Sequence, residues 1–189
     1  MTTLYARERD LYAGIWDDLP QYADVAPGER YVSVLRDHCP PPATVLDAGT
    51  GSGKGALALA RAGYAVVLCD LTAAGLVEEA RALPFAEACL WRPLAAQGLA
   101  PVDAVYCTDV LEHLPPQLVL LAVDRMLSLA RRGVLISVAL HADGFGVWVG
   151  RPLHLTVESF LWWRDSLREV GQVTDARDLI ASGLYWVTR

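Results

Sequence analysis

Lysine is almost absent: Lys54 is the only one, so the other fifteen of the 16 Lys+Arg residues are arginines. No Tyr-x-x-x-Lys pattern can follow it, which argues against the dehydrogenases that depend on that pair. Basic runs are missing too, since Arg131-Arg132 is the only adjacent pair and the net charge is -6. A chain that tracks phosphates needs a basic stripe, so tight nucleic-acid binding is not expected. No apolar run approaches the roughly 20 residues of a membrane helix. The opening MTTLYARERD lacks the apolar core of a secretory signal. The 4 cysteines, Cys39, Cys69, Cys89 and Cys107, contain no CxxC spacing, and three lie in apolar runs. They read as buried reduced thiols, which with the missing signal predicts a cytoplasmic protein without a metal site. Repeats and low-complexity segments are also missing.

What is present is a globular composition, 53% hydrophobic and 20% charged over 189 residues. That length suits one domain with a substantial core. Residues 1–26 mix Tyr5, Tyr12, Trp16 and Tyr22 with charges and read as one or two short helices. Pro27-Gly28 interrupts them, 29–38 reads as a helix, and Pro40-Pro41-Pro42 closes the segment. Strands are expected at 44–48, 65–70, 84–90, 102–107, 133–140, 173–175 and 184–188. Helices are expected at 56–62, 73–82, 116–130 and 156–170. This alternation implies βαβ units, hence a mainly parallel sheet with helices on both faces. Residues 1–43 form an N-terminal helical arm or cap, and 44–189 form the core.

The segment from Val45 to Gly53 is the most informative. A strand ends, the chain turns on alternating glycines, and a helix begins. Glycines admit tight turns and close ligand approach, and a helix N-terminus offers free N–H groups. Asp70 ends the next strand, where a carboxylate can accept from both hydroxyls of a ribose. A P-loop is excluded, because Gly53-Lys54 is followed by Gly55 and position 48 is Ala. The run Gly51-Ser52-Gly53-Lys54-Gly55-Ala56 does satisfy the looser dinucleotide pattern GxGxxA.

An acid on the first strand followed by GxGxG is the pattern of S-adenosylmethionine (SAM) sites. LDAGTGSG (46–53), CDLT (69–72), VDAVYCTDVLEHL (102–114) and LHLTVESFLWWRDSLREVG (153–171) together resemble the class I SAM-dependent methyltransferase family. The resemblance covers residues 44–189. It implies a Rossmann-like α/β sandwich with a seven-stranded, mainly parallel sheet and an antiparallel C-terminal hairpin. It further implies that Asp47 orients the methionine amino group and that Gly49, Thr50 and Gly51 pass under the methionyl and ribose parts. Asp70 would bind the ribose and Leu71 would pack on the adenine. Cys89 stands where the family often has an acid, so adenine contacts would come from Leu90 or Trp91. The product would be S-adenosylhomocysteine (SAH).

Ligands in open parallel sheets bind beyond the carboxyl ends of the strands. That rule selects Thr108 and Asp109, and His141 to Arg151. Asp109 is therefore both a cofactor contact and, with His113 and His141, a candidate base. His154 is a further candidate, although a structural role is the plainer reading. The loop 141–155, rich in glycine and aromatics, reads as a lid or pocket wall. One ring of Trp162-Trp163 is expected in the core and the other toward the pocket. Tyr5, Tyr12, Trp16 and Arg30 of the arm are candidate contacts, Arg30 for the methionine carboxylate. Leu114-Pro115-Pro116-Gln117 departs from the [DNS]PP[YFW] motif of DNA amino-methyltransferases, and no Pro-Cys nucleophile exists. A small-molecule acceptor is the first expectation. A catalytically silent SAM-fold scaffold and, behind it, an NAD-dependent oxidoreductase are the alternatives.

Overall fold

The computed structural model describes residues 3–24 and 26–189. The arm opens with helix α1 (Leu4–Asp18), whose N-cap Thr3 accepts from the Ala6 amide. Single-turn 3₁₀ segments follow at Pro20–Asp24 and Pro27–Arg30, then α2 (Val32–His38). The alternating region comprises β1 (Thr44–Ala48), α3 (Lys54–Arg61), β2 (Ala65–Asp70), β3 (Phe85–Glu87), β4 (Val102–Thr108), α4 (Pro116–Leu129) and β5 (Ala130–Ala139). The chain ends with α5 (Gly146–Val149), α6 (Phe160–Leu167), β6 (Gln172–Asp178) and β7 (Ser182–Thr188).

The strands form a 7-stranded sheet in the order β3-β2-β1-β4-β5-β7-β6. β1 pairs in parallel with β2 and β4, while β7 runs antiparallel to both β5 and β6. The expected Rossmann-like sandwich with its C-terminal hairpin is the observed fold. β1 lies where the strand order reverses, and crevices open there beyond the carboxyl ends of the strands. The β6 sequence QVTDARD alternates half-buried and exposed residues, as suits a charged edge strand.

Each face of the sheet carries its own core. On one, α4 buries Val119, Ala122, Val123, Met126 and Leu127, a helical stripe, against β4, β5 and Trp163. On the other, α2 and α3 bury Leu35, Ala56 and Leu59 against Val45, Leu68 and Tyr106. All four cysteines are buried and free. Among the described residues no helix is long and apolar enough to cross a membrane.

Several element boundaries differ from the sequence reading. Residues 73–82 do not form a helix; only a 3₁₀ turn at Glu78–Ala82 does. Gly75 lies there against the Trp16 ring, so close that a Cβ would stand 2.4 Å from it. The Val77 amide is meanwhile taken by the Ser52 carbonyl. The strand expected at 84–90 keeps only Phe85–Glu87, because the Gln97 side chain takes both the N–H and C=O of Cys89. The helix expected at 156–170 begins at Phe160, capped by Ser159. Before it, the Leu155 and Thr156 amides donate to the Glu112 carbonyl and the Thr156 hydroxyl to the Leu114 carbonyl.

Candidate active site

The glycine turn is held from below. Gly49 and Thr50 donate their amides to the Cys69 carbonyl at 2.8 and 3.1 Å, tying the turn to β2. Gly49, Gly51 and Gly53 all have positive φ. At Gly49 (φ 76°) a Cβ would also come within 2.4 Å of Val110. Gly49→Ala is therefore expected to lower stability by roughly 1–3 kcal/mol in thermal or denaturant melts. Unchanged stability would mean that Val110 moves freely and the turn is not rigid.

Two carboxylates flank the turn. Asp70 Oδ2 accepts from the Gly51 amide at 2.8 Å and Oδ1 from the Leu71 amide at 2.6 Å. Burial pushes the Asp70 carboxyl above its ordinary value, and these main-chain bonds oppose the rise. Asp47 is buried on β1, and its Oδ2 accepts from the Thr50 hydroxyl at 2.6 Å. Burial pushes it up to about 6, against the pull of that hydrogen bond.

An open cavity lies over the turn. Gly49, Gly51 and Asp70 line it together with the apolar side chains of Leu71, Leu90 and Trp91. A smaller space lined by Asp47, Thr50, Gly28 and Thr108 continues past Gly51. A third, more polar cavity is lined by Arg30, Ser137, His141, Asp143 and His154 among others. Tyr22 and Asp109 border all three spaces, and His113 borders the two larger ones.

Asp109 adopts a left-handed conformation (φ 61°) directly after β4, and its amide donates to the Ser137 carbonyl. Such a conformation in a non-glycine residue is uncommon and is often found at sites. Just beyond it, Glu112 is fully buried; Oε1 accepts from the Ala139 amide and Oε2 has no hydrogen-bond partner. Burial and then the neighbouring Asp109 charge push its carboxyl well above the ordinary range. His113 takes its Nδ1 hydrogen bond with the Tyr12 hydroxyl at 2.9 Å, and burial pushes its imidazole down to about 4. His154 meets the His113 ring edge-on at 4.7 Å.

The arm and the 141–155 loop meet over these spaces. Arg151 forms a two-pronged ion pair with the buried Glu8 at 3.1 and 3.2 Å. Tyr22 packs edge-on between Trp16 and Phe145, at 4.9 and 5.1 Å. Trp16 lies along Gly51 and Gly75. Among the described residues no group of His, Cys, Asp and Glu is arranged to hold a metal.

The sequence of residues 21–181 matches the profile of the family described as "Methyltransferase domain". The chain belongs to that methyltransferase family. No curated protein matches the chain by sequence. Among solved structures, the methyltransferase resembles 1,6-didemethyltoxoflavin-N1-methyltransferase from Burkholderia thailandensis, determined with 1,6-didemethyltoxoflavin and SAH bound. The TM-score is 0.75 at 20% identity, over 96% of this chain and 86% of that one. It also resembles magnesium protoporphyrin IX methyltransferase from Synechocystis PCC 6803 with bound SAH. There the TM-score is 0.74 at 21% identity, over 98% of this chain and 99% of that one.

The fold brings most of the sequence-selected residues of the methyltransferase around connected spaces. Gly49, Gly51, Asp70, Leu71, Leu90, Trp91 and Asp109 line the first cavity, and Asp47 and Thr50 the space beside it. His141 and Arg30 line the polar cavity, and Arg30 does not border the space beside Asp47. Tyr12 and Trp16 line the first cavity, whereas Tyr5 bonds Glu87 outside it. Trp163 is core; Trp162 packs at the core's edge, and neither ring borders these spaces. Sequence reasoning gave Tyr22 no special place. No motif marks it, because the loop that carries it reaches the site only through tertiary packing.

Proposed function

We propose that this methyltransferase binds SAM over the glycine turn and transfers the methyl group to a small molecule in the adjoining polar cavity. One observation carries the reading. An acid-ended strand, a glycine turn and the apolar side chains of Leu71, Leu90 and Trp91 line one cavity, and that cavity shares Tyr22, Asp109 and His113 with a second, polar one. The residues fit the ligand by chemistry: carboxylate for ribose hydroxyls, apolar walls for a purine, glycine backbone for close approach. When bound, SAM supplies an electrophilic sulfonium methyl.

In this reading Asp70 holds the ribose, and Leu71, Leu90 and Trp91 enclose the adenine. Asp47 and Thr50 stand at the amino-acid end. Asp109 lies between cofactor and acceptor. His113, pushed down to about 4, stays neutral and hydrogen-bonds Tyr12 as part of the wall. The arm and loop, joined through Glu8 and Arg151, exclude water, which matters because methyl transfer depends chiefly on alignment and a dry site. The names of the two similar structures carry 1,6-didemethyltoxoflavin and magnesium protoporphyrin IX, which supports a small-molecule acceptor.

Calorimetric titration with SAM and SAH tests the reading. Binding of both in the micromolar range is expected, about -8 kcal/mol at 1 μM. Folded protein that takes up neither ligand would defeat it.

A further inference from the structure

We propose that His154 is the general base of this enzyme and that the acceptor it serves is a neutral aromatic hydroxyl, a phenol or enol. The inference rests on the methyltransferase reading above and assigns the acceptor end of that site.

The ring's tautomer is fixed. His154 Nδ1 lies 2.7 Å from the His141 carbonyl oxygen, which can only accept. Nδ1 therefore carries the proton, and in the neutral ring Nε2 is the atom free to take one. The backbone beneath is fixed as well. Asp143 accepts from the Leu153 amide at 2.8 Å and the His154 amide at 3.2 Å, and also from the Gly146 amide. A base oriented by a third group on a pinned segment is the arrangement that general-base catalysis needs.

The other candidates are less suited. His113 has its Nδ1 engaged by Tyr12 and is held neutral by burial. His141 is exposed and bonds its own neighbour, the Ala142 carbonyl. Asp109 faces the buried Glu112 carboxyl.

The cavity's chemistry selects the acceptor. Its rings are Tyr22, Tyr31 and Phe145, which suit a planar molecule. Its carboxylates, Asp24, Asp109 and Asp143, outnumber its one guanidinium, Arg30, which disfavours an anionic acceptor. A neutral amine attacks with its own lone pair and needs no base. An aliphatic alcohol is too weak an acid for imidazole. A phenol, with a pKa of about 10, lies within reach. In the balanced step the acceptor O–H gives its proton to Nε2. The oxygen then forms the new O–C bond as the C–S⁺ bond breaks. The bonding pair stays on sulfur, leaving the methyl ether, SAH and a His154 imidazolium.

The test compares 4-methoxyphenol with 4-nitrophenol, which is already ionised at about pH 8. His154→Asn keeps a donor toward the His141 carbonyl and removes Nε2. With 4-methoxyphenol kcat should fall about 100-fold or more; with 4-nitrophenol, whose anion the three carboxylates admit only at a higher KM, kcat at saturation should fall less than about threefold. The KM for SAM should not move. The groups facing His154 are His113, His141 and Asp143, and Asp109 and Arg30 line the same cavity. The wild-type rate with 4-methoxyphenol should show a solvent deuterium isotope effect from the proton transfer to Nε2, and the rate with fully ionised 4-nitrophenol should show none. This readout does not depend on the variant folding. Equal losses with both phenols would reduce His154 to a structural role. Wild type that binds SAM but methylates neither phenol would overturn the acceptor class. Wild type that binds no SAM would instead strike the methyltransferase reading itself.

Discussion

Replacing Asp70 with alanine should weaken SAM binding by about 100-fold or more, close to 3 kcal/mol. Hydrogen bonds to a charged group contribute about 1.5–3 kcal/mol each, and the ribose offers two hydroxyls to this carboxylate. The side chain is already placed, because Gly51 and Leu71 each hold one oxygen by a main-chain N–H. Little ordering remains to be done on binding, so removal costs nearly the full interaction. The same substitution frees two amides, so some loss of stability accompanies it, and a melting curve must show that the variant is folded. Asp70→Asn should fall between the two, since an amide accepts with one atom only. Because burial raises the Asp70 pKa, affinity should decline with acidification earlier than an ordinary aspartate would predict. Calorimetry across pH measures both effects. An alanine variant within about threefold of wild type would remove Asp70 from the ribose.

How far the sequence foretold this site follows from the range of the forces involved. The β1 strand, the glycine turn and the β2 terminus are specified locally. Positive φ at Gly49, Gly51 and Gly53 is a property of those residues, and LDAGTGSG displays it. The burial stripe on α4 is likewise periodic and legible, and β5 is legible as a continuous apolar run buried on both faces. Where a long-range partner intervened, the local pattern misled. Trp16 from the arm packs on Gly75, and the expected helix at 73–82 does not form. Gln97 reaches back to Cys89 and truncates β3. The position of Tyr22 between Trp16 and Phe145 joins the arm to the 141–155 loop, and no spacing rule connects the two. His154 was legible as a histidine near a helix start. Its tautomer depends on the His141 carbonyl, thirteen residues away across a loop.

The Glu112-His113 pair shows how a motif can divide its roles. His113 lines both large cavities, while Glu112 is sealed beneath them. Its side chain takes the Ala139 amide at the end of β5, and its carbonyl takes the Leu155 and Thr156 amides just after His154. Glu112 thus joins the end of β5 to the segment that carries His154.

Glu112→Ala and Glu112→Gln should therefore move in opposite directions at neutral pH. Alanine leaves the Ala139 amide without a partner and opens a cavity. A loss of about 2–4 kcal/mol is expected, read by denaturant melts. Glutamine keeps the acceptor for Ala139 and turns an N–H toward Asp109 from the position where Oε2 has no partner. The folded pKa of Glu112 is raised above its ordinary 4.5, so folding favours the protonated form. The stability this form confers is full below the ordinary value and is lost as pH climbs through the raised one. Glutamine is neutral throughout. Its melting temperature should match wild type under acid conditions and exceed it increasingly toward neutral and alkaline pH. A glutamine variant as unstable as the alanine one at neutral pH would mean that the buried carboxylate is ionised and that its charge supports the fold.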